Sequence, residues 1–121
     1  MKIDFKKLGE SFFVILLIIF VFTLIDFFVH QLSGEYSVPS YYFRNKLIFG
    51  TIWAFVVYLF VRKLKPLAKA AIISAVVVVF LQIKYYLEGY PKDFVFLFLG
   101  IHFVILLATT LLVFKLFEKK L

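Results

Sequence analysis

Asp26 and His30 stand four residues apart, and Asp26 is the one formal charge between Ser11 and Leu32. Four residues is close to one helical turn, so on a helix the two side chains are neighbours. His102 interrupts a second uncharged stretch, Phe94 to Phe114, and Gln82 lies near the end of a third apolar run. Carboxylate, imidazole and amide groups in apolar surroundings can hold a proton, a cation or a small solute. A carboxylate with two imidazoles also suits zinc and related ions, and three such ligands suffice for a site with one open position. On that reading Asp26, His30 and His102 are candidate metal ligands, and His30 with His102 could ligate a haem. The plainer reading is a neutral His102 bonded to Gln82, Tyr85 or a backbone carbonyl, and an Asp26–His30 pair that only locks helices together. No HExxH, nucleophile elbow, phosphate loop, calcium loop or haem-attachment motif occurs, and there is no cysteine. No cofactor is therefore called for by motif; a divalent metal or a haem is what the residues themselves would accept.

The elements that must position these groups follow from hydropathy. Of 121 residues 64% are hydrophobic, 18 are phenylalanine, and the mean hydropathy is +1.05. A soluble domain is about half apolar, with polar residues interleaved. Here long apolar runs alternate with short charged clusters, which excludes a disordered chain, a coiled coil and an ordinary soluble enzyme. The pattern predicts an all-α membrane protein, a four-helix up-down-up-down transmembrane bundle. Residues 1–10 form an interfacial N-terminal segment, and 11–121 form one domain with spans at about 11–32, 41–61, 67–87 and 94–117. The first run is too long for a signal-peptide core and lacks a small-residue cleavage site, so it reads as a retained span. Pro66 suits the first turn of the third span, and Asp93 is expected to cap the fourth. Lys46 and Lys84 read as snorkelling anchors, with Lys46 able instead to pair with Asp26 or Glu35. Trp53 reads as packed within the bundle.

The net charge is +7, and lysine outnumbers arginine twelve to two. Bidentate phosphate recognition favours arginine, so nothing here resembles a nucleic-acid surface. The basic residues instead set orientation. Ten of the fourteen lie at the N-terminus, in the turn around Arg62 to Lys69, and at the C-terminus. The positive-inside rule then puts both termini in the cytoplasm of a cell-membrane protein.

At 100° per residue, helical stripes collect Ile15, Ile19, Thr23, Asp26 and His30 on the first span, and Lys46, Gly50, Trp53 and Val57 on the second. They collect Ala71, Ala75, Val78, Gln82 and Tyr85 on the third, and Val95, Phe98, His102, Ile105, Leu106 and Thr109 on the fourth. Asp26, His30, Gln82 and His102 all fall in the outer leaflet of this arrangement. They outline an outward-facing polar pocket with Glu35, Arg44, Asn45, Lys46, Tyr85 and Glu88 at its mouth. The leading functional reading is an oligomeric transporter or channel for a proton, cation or small solute. The alternatives are a non-catalytic membrane subunit or scaffold, and a metal- or histidine-dependent enzyme acting on a lipid-soluble substrate. The expected partners are the lipid bilayer and a second copy of the chain or another membrane protein, with no nucleic acid.

Overall fold

The computed structural model describes residues 4–32 and 41–117, with side chains for all of these except Tyr41 and Tyr42. They form four helices, α1 (Phe5–Gln31), α2 (Tyr41–Val61), α3 (Pro66–Leu87) and α4 (Lys92–Leu116). Each is long and apolar enough to cross a membrane, which makes the chain a multi-pass membrane protein. The helices pack as a ring: α1 on α2, α2 on α3, α3 on α4, and α4 back on α1.

Local chemistry sets the boundaries. Asp4 is extended and caps α1 by accepting from the Lys7 amide at 3.1 Å. Residues 5–10, which the sequence sets at the interface, are thus the first turns of α1. With 27 residues, α1 runs for about 40 Å, longer than a hydrocarbon core of about 30 Å, so these turns reach the headgroup zone. Lys65 is extended before α3, and Pro66 occupies the first turn as its fixed φ allows. The tight α3–α4 turn closes around Gly89 at φ +89°. Tyr90 N–H reaches the Tyr85 carbonyl and Gly89 N–H the Tyr86 carbonyl, both at 3.2 Å. This is the paired arrangement that a glycine in the left-handed region permits. Asp93 does not cap α4. The cap position is Pro91, and Asp93 lies in the first turn with no side-chain cap bond, where its charge still complements the helix dipole.

The core joins Val14, Ile15, Ile18, Ile19 and Phe22 of α1 to Ala54 and Tyr58 of α2. Ile73, Val77, Val78 and Leu81 of α3 and Phe98, Leu106 and Phe114 of α4 complete it. The outer faces are equally apolar: Phe60, Phe96, Val104 and Leu112 are all exposed. Polarity is therefore concentrated inside, as expected where lipid is the solvent and polar contacts hold helices together.

The expected stripes on α1 and α4 face inward, except that Ile105 is only half-buried. The other two hold in part: Val78, Gln82 and Tyr85 on α3 and Lys46 and Gly50 on α2 face inward as expected. On α3, Ala75 is exposed and Ala71 half-buried, while Ala70, Ile73, Ser74 and Val77 face the core. On α2, Trp53 and Val57 give way to Thr51, Ala54 and Tyr58. On α2 the close approach is at Gly50. A Cβ there would stand 3.1 Å from Ile19 Cγ2, so α1 approaches α2 too closely for an indole one turn further on, and alanine takes that place. Trp53, 36% exposed, instead meets Phe80 edge-on at 4.7 Å on the lipid side of the α2–α3 seam.

Candidate functional site

Every helix delivers one part of a single buried centre. The end of α1 supplies Asp26 and His30, the start of α2 Lys46, the end of α3 Gln82, and the first half of α4 His102. Asp26, His30 and His102 have no exposed surface, Lys46 has 2% and Gln82 4%. Up-down topology brings these five positions to the same end of the bundle, because the C-terminal ends of α1 and α3 lie beside the N-terminal ends of α2 and α4.

Asp26 Oδ2 is the hub. It accepts a hydrogen bond from the Lys46 ammonium, His102 Nε2 lies 2.9 Å from it, and His30 Nε2 lies 3.0 Å from it. The role of His102 can be worked out from its far side. Gln82 Nε2 donates to the Val95 carbonyl at 2.6 Å. A carbonyl only accepts, so the amide oxygen is the end that meets His102 Nδ1, at 2.8 Å. Nδ1 therefore carries the hydrogen, and in a neutral imidazole Nε2 is then an acceptor. That acceptor faces a carboxylate oxygen, also an acceptor, and the pair needs positive charge between them. Lys46 supplies it: its Nζ, already on Asp26, lies 3.2 Å from His102 Nε2. The ammonium also stands 4.6 Å from the centre of the Phe22 ring, a cation–π contact.

Aromatic rings wall the centre. His30 lies flat on Phe98, with centroids 4.1 Å apart and planes 9° apart, and beside Phe94 at 5.5 Å. Phe22 and Phe98 flank His102 at 5.6 and 5.4 Å. These contacts fix the ring orientations and keep the dielectric low, which strengthens every electrostatic contact inside.

A narrow cleft between α2 and α3, with room for about one water molecule, has Lys46 in its lining. Asn45, Lys46 and Phe49 line it from α2, Leu81, Lys84 and Tyr85 from α3, and Glu88 and Tyr90 from the turn. Of the residues expected at the pocket mouth, Asn45, Tyr85 and Glu88 are therefore on this cleft. Lys46 lines it too and is almost fully buried. Arg44 is exposed and is not among the lining residues. Glu35 lies outside the described residues. Lys84 forms an ion pair with Glu88 one turn away at the cleft rim.

Lys46 is the residue whose depth the sequence understates. A lysine near a helix start looks like a snorkelling anchor, and only the need of Asp26 for a cation hints otherwise. Lys69 is a second case. Read as part of a basic turn, it is 8% exposed, with its ammonium 4.9 Å from the Phe114 ring and 6.0 Å from the Tyr58 ring. Thr23 and Thr110 bond their own helix carbonyls at Ile19 and Leu106, both at 2.6 Å, and take no part in the centre.

Comparison with protein-family models, with characterised proteins and with solved structures finds no match.

Proposed function

We propose that the chain is a small membrane transporter or channel for a cation, with the Asp26 centre as its binding site. The observation that carries this is a buried Asp26–Lys46 ion pair whose lysine also lines a narrow cleft between α2 and α3. Charged groups inside a bilayer are costly, and their usual reward is an ion or proton pathway. Here the carboxylate already holds a cation, the Lys46 ammonium, on a flexible four-carbon stem. A soluble cation arriving through the cleft would compete for the same oxygen. Away from the centre, the interior is filled by Ile15, Ile18, Val77 and Leu106. Passage therefore requires either an alternating arrangement of the helices or a closed oligomer, and we take the working unit to be an oligomer in the cell membrane with both termini in the cytoplasm.

A scaffold role is favoured by one observation: all four helices contribute to the centre, as to a keystone. The two readings part in reconstituted liposomes. Transport predicts cation-dependent flux that is lost in Asp26→Asn protein of unchanged helical content. A folded wild-type protein that carries no proton, monovalent or divalent cation would leave the keystone reading.

A further inference from the structure

We propose that the Asp26 centre is a binding site for a divalent first-row transition metal, in which Lys46 is the resident cation that the ion displaces. The inference rests on the reading of the centre as a cation site and names the class of cation. Asp26, His30 and His102 each offer one ligand atom, and the three atoms lie within 4.8 Å of one another. Tetrahedral bonds of 2.0–2.2 Å to nitrogen and oxygen place donor atoms about 3.3 Å apart. The Asp26–His30 and Asp26–His102 separations are 3.0 and 2.9 Å, within about half an ångström of that edge.

Two imidazoles with one carboxylate select zinc, iron, cobalt and their neighbours over magnesium or calcium, which take oxygen ligands. The second observation is the far side of His102. A metal-bound histidine almost always gives its other N–H to a carbonyl or carboxylate, which aims the free lone pair at the ion. His102 does this towards Gln82, and Gln82 is itself fixed by the Val95 carbonyl. The lone pair on Nε2 is directed towards Asp26 Oδ2, and a metal bound by both would lie between and to one side of these two atoms. Lys46 stands there now, bonded to Asp26 and 3.2 Å from His102. Lys46 also lines the narrow cleft shared with Lys84, Tyr85 and Glu88, which is the side from which an ion would approach. Exchange of one cation for another would leave Asp26 partnered throughout.

The test is binding of Co(II), and of Zn(II) in competition, to the detergent-purified full chain. It is followed by visible ligand-field absorption and by metal analysis after desalting. The expected result is one ion per chain with the bands of a four- or five-coordinate nitrogen–oxygen site. His30→Ala and His102→Ala should lose both ion and bands. Gln82→Leu should weaken binding about 10–100-fold, as loss of an outer partner does. Lys46→Met should bind at least about tenfold tighter, the tethered competitor being gone. Should that variant fail to fold, the wild type and His30→Ala decide alone. Absence of saturable binding by wild type overturns the proposal, and so does binding by Lys46→Met only, since the ammonium would then exclude the ion. Failure of the transport reading is separate: binding without liposome flux removes transport and keeps the site, and proton or monovalent flux without metal binding does the reverse.

Discussion

At Asp26 the cost of placing a carboxylate inside a bilayer is offset by an ammonium from the next helix, bound to the oxygen around which two imidazoles also gather. Breaking such a pair from one side is expensive, because the remaining charge stays buried and unmatched, at about 3–5 kcal/mol. Asp26→Asn should therefore lower the unfolding free energy in lipid–detergent micelles by about that amount. Lys46→Met added to it should restore most of the loss, since no lone ammonium then remains. A double-mutant cycle measures this coupling directly, and two single variants as stable as the parent would show that the pair does not hold the bundle. Gln82 makes a separate prediction. If its oxygen fixes the hydrogen on His102 Nδ1, nitrogen-15 spectra should show one tautomer in wild type and a mixture in Gln82→Leu. Much of this centre was legible from residue type and depth: Asp26, His30, Gln82 and His102 stand out as polar groups in apolar runs, and helical spacing puts them on inward stripes. Lys46 was legible only as one of two alternatives, a snorkelling anchor or a partner of Asp26, because hydropathy treats a lysine near a helix start the same way whether its stem reaches outward to water or inward to a carboxylate.

At the scale of elements, the four spans follow from composition, while the facing of α2 and α3 follows only in part. A stripe read at 100° per residue assumes that each helix presents a constant face to its neighbours. On α2 the inward positions step by four, Lys46, Gly50, Ala54 and Tyr58, which slants the contact row across the helix as ridge packing does. The size of Trp53 and the lack of a side chain at Gly50 decide the matter, and both are packing facts that periodicity cannot weigh. Gly50→Ala tests the close approach. The new methyl would stand 3.1 Å from Ile19 Cγ2, so α1 and α2 must part slightly or Ile19 must turn, at a cost of about 1–3 kcal/mol. Gly100→Ala is the control, since nothing lies within 4 Å of a Cβ there, and it should be neutral or slightly stabilising through helix propensity. Equal stability of the two variants in thermal unfolding would mean that the α1–α2 seam tolerates a wider spacing than the one described.

For the whole molecule, the orientation in the bilayer decides which compartment the centre serves. The count of basic residues favours termini inside by ten to four. Lys46 is bound within the centre and Lys69 is covered by rings, so neither is a loop charge facing the membrane surface. Setting both aside leaves nine against three, and of the three Lys84 is paired with Glu88. All the connections are short, the regime in which positive charge governs insertion. The chain has no cysteine, so single cysteines can be placed without background. Lys92→Cys, at the start of α4 beside the cleft, should react with a membrane-impermeant maleimide on intact cells. Leu64→Cys, in the exposed α2–α3 turn at the opposite end, should react only after the membrane is opened. The reverse pattern would put the Asp26 centre in the cytoplasmic leaflet. The bundle and its ionic cluster would be unchanged, because neither depends on which face is outside. The cleft would then admit ions from the cytoplasm, and the direction of any transport through the centre would have to be drawn the other way.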